Sequence, residues 1–67
     1  MMENVERTLL SMAIKVIETY NGKYVFISYK EALERYNGAV SIAKVIGFTD
    51  EKIAEIEEEA KKEFYGK

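Results

Sequence analysis

The chain contains no cysteine, no histidine and no proline, and each absence closes off a class of explanation. Without thiols there are no disulfides, no sulfur nucleophile and nothing from which a redox compartment can be read. Without imidazole there is no histidine general base, and with cysteine also missing the usual zinc ligand sets are gone. Without proline, low-complexity tracts or a linker, residues 1–67 read as a single domain. Long uncharged hydrophobic runs are lacking too. The apolar stretch at residues 9–17 is broken by Lys15 and preceded by Glu3, Glu6 and Arg7, far short of the ~20 residues that span a bilayer. No signal-peptide cleavage pattern comes after it, so the expectation is a cytoplasmic protein with no membrane partner.

What remains is a short, charged chain. A domain of this size buries only about 60% of the surface its unfolded form exposes. Small scaffolds compensate with disulfides, metals or oligomerisation, and only oligomerisation is open here. The net charge is −2, unevenly spread: residues 1–48 sum to +1 and residues 49–67 to −3. A non-specific nucleic-acid binder draws most of its affinity from phosphate neutralisation through a basic face. The charges show no such face.

Apolar spacing predicts a first helix over residues 3–20. At 100° per residue Val5, Leu9, Leu10, Met12, Ala13, Ile14, Val16, Ile17 and Tyr20 cover an arc of roughly 200°, about twice the stripe a surface helix needs. That surplus predicts burial on two sides, by the chain itself and by a second subunit across Leu10, Ile14 and Ile17, making a homodimer. Residues 23–27, Lys-Tyr-Val-Phe-Ile, are aromatic and β-branched and read as a short extended or β segment. With no second strand-like run in the chain, either the same segment of another subunit pairs with it or it is an extended connector.

Apolar-Glu-x-Tyr-Asn-Gly occurs twice, at residues 17–22 and 33–38. Both copies fit a helix end, where Asn or Gly takes the left-handed conformation and an aromatic side chain covers the apolar side. Ser28-Tyr29-Lys30-Glu31 is a capping box that starts a helix. Tyr29, Ala32, Leu33 and Tyr36 form that helix's stripe, and Asn37-Gly38 ends it. Residues 39–46 then make a separate two-turn helix that stops at Gly47. Thr49 caps a last helix, with Asp50 and Glu51 in its first turn, favourable for the helix dipole. Ile53, Ile56, Ala60 and Phe64 share one side of it, and Glu57–Lys61 and Glu58–Lys62 pairs support the solvated side. The fold expected is a small, mainly α four-helix domain with one short extended segment.

In residues 31–58, Glu-Ala-Leu-Glu-Arg-Tyr-Asn-Gly is followed by Ser41-Ile42-Ala43-Lys44-Val45-Ile46-Gly47-Phe48-Thr49. This stretch resembles the helix-turn-helix superfamily and is similar to its Fis-type and response-regulator variety. The resemblance implies Ala43 where two helices cross, Gly47 at positive φ in the turn, and Ile42, Ile46, Phe48, Ile53 and Ile56 in a shared core. In that family the exposed side of the second helix meets base edges and phosphates, commonly through Arg, Lys, Asn, Gln or Ser. Here that side carries Thr49, Asp50, Glu51, Lys52, Glu55 and Glu58, and four carboxylates repel a phosphate-lined groove.

These readings lead to a small non-enzymatic regulatory or protein-interaction protein of the kind phages and mobile elements carry. It is a homodimer on a helix-turn-helix-like scaffold, with no catalytic residue, cofactor or metal. Its acidic face, Glu51, Glu55 and Glu58, is expected to meet a basic protein partner. One alternative is a sequence-specific DNA-binding dimer with Thr49 and Lys52 at bases and Lys30, Arg35 and Lys44 on phosphates. Another is a structural dimerisation module of a larger assembly. Glu51, Glu55, Glu58 and Glu59 lack the Gly-bent loop of a dedicated cation site. Tyr20, Tyr24, Tyr29 and Tyr36 read as half-buried core residues in preference to an aromatic binding surface.

Overall fold

The computed structural model describes residues 2–66. Three helices succeed one another: α1 (Met2–Tyr20), α2 (Tyr29–Val45) and α3 (Asp50–Tyr65). The mainly α class is as expected, but there are three helices and not four. Among the described residues there is no strand, and residues 23–27 form a bent connector. A strand needs a neighbour for its backbone groups, and the helices on either side offer none.

The difference in helix number comes down to the residues after each glycine. After Gly22 the chain runs into Lys23-Tyr24-Val25, and α1 closes. The Gly22 amide donates to the Thr19 carbonyl at 3.2 Å and the Lys23 amide to the Glu18 carbonyl at 2.8 Å, with Gly22 at φ +71°. This is a Schellman closure, in which a left-handed residue lets two amides turn back onto the last carbonyls. After Gly38 come Ala39, Val40 and Ala43, which pack onto the core. Continuing the helix buries them, which outweighs the roughly 1 kcal/mol that glycine costs inside a helix. Gly38 therefore sits mid-helix, and residues 29–45 are one element.

The second closure lies at Gly47 instead. Its φ is +115°, its amide donates to Lys44 O at 3.2 Å, and the Phe48 amide donates to Ala43 O at 2.9 Å. Phe48 and Ala43 are both buried, so the hydrophobic contact that usually accompanies this closure is present as well. Ser28 and Thr49 cap the starts of α2 and α3, accepting from the amides of Glu31 and Lys52 at 3.1 Å each. Only half of the expected capping box forms. The Glu31 carboxylate does not turn back to Ser28; it takes a 2.7 Å hydrogen bond from Arg35.

Helix α1 is the element on which both others pack, while α2 and α3 touch one another far less. Leu9 and Ile56, each 1% exposed, are the largest fully buried side chains, and Ala13, Ala32, Ala43 and Ala60 are buried with them. Small residues at the contacts let the helix axes approach closely. Phe48 and Ile53 join this core as expected, whereas Ile42 and Ile46 do not and stand exposed. They lie on the side of α2 turned away from α3, because α2 meets α1 through Ala32, Tyr36, Ala39 and Ala43. Helix α2 covers one flank of the broad apolar arc of α1 and α3 the other, and Leu10, Ile14 and Ile17 between them stay half-buried.

The two glycines predict opposite responses. Gly38→Ala adds a Cβ into open space at a helical φ and should raise unfolding stability by about 0.5–1 kcal/mol. Gly47→Ala also meets no neighbour, but its positive φ should make it destabilising by about 1 kcal/mol or more. Urea unfolding followed by circular dichroism measures both, and a helix break at Gly38 would reverse the first sign.

Candidate interaction surfaces

The outward side of α3 is set by its buried one. Ile53, Ile56 and Ala60 face the core, which leaves Glu51, Glu55 and Glu58 exposed on the far side. The ion pairs there differ from the expected ones. Lys61 lies 4.0 Å from Glu58, while the carboxylate of Glu57 accepts a 2.8 Å hydrogen bond from the Tyr36 hydroxyl on α2. Lys52 reaches Glu55 at 3.8 Å. Glu51, Glu55 and Glu58 thus share a solvated stripe, positioned as the spacing implied.

Of the cations that a DNA-reading surface would need, Lys44, Lys52 and Arg35 are ion-paired, and the set is scattered. Lys44 lies 2.8 Å from Asp50, and this bond holds the Asp50 carboxyl below its ordinary pKa. Lys52 crosses to α1 and meets Glu6 at 2.6 Å, which raises the pKa of its ammonium. Arg35 is bound to Glu31. The Thr49 hydroxyl is engaged as the cap of α3. Along α2, Arg35 and Lys44 are nine residues apart, about half a revolution out of phase at ~100° per residue. Lys30 stands about four turns of α2 from Lys44. The five residues do not converge on one face.

The candidate dimer residues Leu10, Ile14 and Ile17 are each half-buried by their own chain. Ile17 lines a cleft between α2 and α3 with Leu33, Tyr36 and Ala60. Ile14 borders a hollow with Phe64 of α3. Only Leu10 and Ile14 also face a shallow outer depression, beside Arg7 and Glu18.

The tyrosines divide between the two readings. Tyr36 is buried, Tyr24 is half-buried, and Tyr20 and Tyr29 are exposed, with ring centroids 5.4 Å apart in an edge-on pair. Tyr20 therefore does not cover the end of α1 as an apolar cap. The Lys15 ammonium sits 4.0 Å from the Tyr24 ring centroid, a cation–π contact.

Sequence reasoning missed the surfaces with the largest exposed apolar groups. Ile42, Val45 and Ile46 are 67%, 86% and 50% exposed on one side of α2, and Val25 and Phe26 project from the connector, Phe26 at 84%. A signal for the first was present: residues 39–46 carry more apolar positions than one flank of a helix can bury. No family model matches the chain, and none of the curated proteins or solved structures compared with it is similar to it.

The Tyr36–Glu57 bond predicts a pH-dependent stability. Burial, then the hydrogen bond to Glu57, then its charge push the Tyr36 phenol far above its usual value of 10.0. The neutral phenol is the form the fold favours, so this stabilisation is complete below pH ~10, where the unfolded chain also keeps its proton, and falls as pH rises beyond it. Tyr36→Phe should cost about 1 kcal/mol at pH 7, with the gap to wild type closing above pH ~10. Urea midpoints at pH 7, 9 and 11 check this, and a gap constant with pH would count against the bond.

Proposed function

We propose that the protein is a small, non-enzymatic interaction protein that works by binding another protein chain, on a helix-turn-helix-like α2–α3 scaffold. The observation that supports this reading is the exposed stripe Ile42, Val45 and Ile46. Its spacing of three, four and one residues places all three on one side of a helix, where a contiguous apolar patch is characteristic of a contact surface. Val25 and Phe26, exposed in a connector, add a second apolar point. Both surfaces offer contact area, not reactive groups.

The acidic side of α3 complements these patches. Glu51, Glu55 and Glu58 project a field that steers a basic protein surface toward the molecule and disfavours phosphate. With Lys44 and Lys52 each tied to a carboxylate and four carboxylates on the outer side of α3, protein is favoured over DNA as the partner. A second copy of the chain is one such partner, in keeping with the small size of the core.

Three tagged variants test the reading: Ile42→Asp with Val45→Asp, Val25→Ser with Phe26→Ser, and Glu51→Gln with Glu55→Gln and Glu58→Gln. The altered side chains are exposed, so helical content should stay unchanged by circular dichroism. The apolar variants should lose the chains that co-purify with wild type from its source cells, and the Gln variant should recover them more slowly and with less salt dependence. Identical recovery from wild type and all three variants would overturn the proposal.

A further inference from the structure

Helix α3 occupies one flank of α1, where Lys52 meets Glu6 and Phe64 borders the same hollow as Ile14. The other flank of α1 forms a groove with the outer side of α2. Towards the N-terminus of α1 this groove is a hollow of about 270 Å³, bounded by Val5, Ile42 and Ile46 with Asn4 and Thr8 at its lip. One turn further along α1 it continues as a second hollow of about 180 Å³, floored by Met12 and Ala32, where Lys15 and Arg35 line it from the two helices. From Asn4 to Lys15 the groove is about 16 Å long at ~1.5 Å per residue, three helical turns.

Its charge is distinctive in an acidic chain. Twelve residues are Asp or Glu, yet none lines either hollow; the residues that do are apolar, uncharged polar, or the cations Lys15 and Arg35. Lys15 makes no carboxylate pair among the described residues and leans on the Tyr24 ring. Arg35 is bound to Glu31 through one terminal nitrogen, which leaves further N–H donors on its planar fork. The groove is therefore apolar at one end and cationic at the other.

We propose that this groove receives an acidic amphipathic helix of a partner protein, an inference that rests on the interaction reading above. The partner helix lays an apolar stripe over Val5, Ile42 and Ile46 and sets a carboxylate against Lys15 and Arg35. Apolar anchors at helical spacing supply the affinity of such a helix-in-groove contact. The two cations select its charge and orientation.

Two fluorescein-labelled 18-residue designed helical peptides test the proposal on the full chain. Both carry leucine at i, i+3, i+4 and i+7 positions, and they differ only in having Glu or Lys at the flanking sites. Fluorescence anisotropy should show the Glu peptide binding about tenfold more tightly, the size expected of two partly exposed ion pairs against two repulsions. Ile42→Asp should abolish binding, and the Lys15→Glu, Arg35→Glu double variant should reverse the preference, both with helical circular dichroism intact. Equal affinity for the two peptides, or binding unaffected by Ile42→Asp, would overturn the proposal. A wild-type dimer in sedimentation that Ile42→Asp converts to monomer would also overturn it, by assigning the groove to a second copy. If co-purifying chains are still lost with Ile42→Asp while the peptides are not distinguished, the acidic helix fails and the interaction reading stands.

Discussion

Everything in this molecule depends on α1 being shared. Helices α2 and α3 touch one another little and each packs on α1, so neither has a place without it. The contact is made close by alanine, at Ala13 on α1, Ala32 and Ala43 on α2 and Ala60 on α3, with Leu9 and Ile56 filling the volume between. Small residues lower the distance between axes but bury little area each. The alanines set the close approach, and Leu9, Tyr36, Phe48, Ile53 and Ile56 supply the buried bulk.

The same packing shapes the surface. With its core side made of Ala32, Tyr36 and Ala43, α2 leaves Ile42, Val45 and Ile46 on the outside. Two polar links join α2 to α3 among the described residues: the Lys44–Asp50 ion pair across the turn and the bond between Tyr36 and Glu57, which ties a buried phenol to a helix that is otherwise acidic and solvated. The Gly47 closure then sets where α3 begins and turns its Glu51, Glu55 and Glu58 side outward. Apolar groove, acidic stripe and paired cations are consequences of one packing arrangement.

Much of this was legible in the residues themselves. The Ser28 and Thr49 caps, the left-handed glycines at 22 and 47 and the core side of α3 obey local rules, because a cap or a closure is decided within a few residues of itself. Asn37-Gly38 misled because the same dipeptide that ends α1 is overridden in α2 by Ala39, Val40 and Ala43 packing on α1. Residues 23–27 misled because β-prone side chains do not make a strand without a neighbouring strand. The acidic side of the candidate surface could be read from spacing; for the apolar side the surplus of apolar positions in residues 39–46 was visible, but not which of them would stay outside, since Ile42 and Ile46 fit a helical hairpin core equally well on paper.

The sequence by itself determined that the chain is mainly α, where two of its three helices are capped, and that α3 carries its carboxylates on one side. These properties are local, set by capping, backbone conformation and the 3.6-residue period. Only the tertiary structure decided that α2 runs unbroken through Gly38, that α2 and α3 cover the two flanks of the apolar arc of α1, and that Ile42, Val45 and Ile46 face outward. Those outcomes depend on which helix reaches a given side first, and that competition is settled by close packing among distant residues, not by the residues at the site.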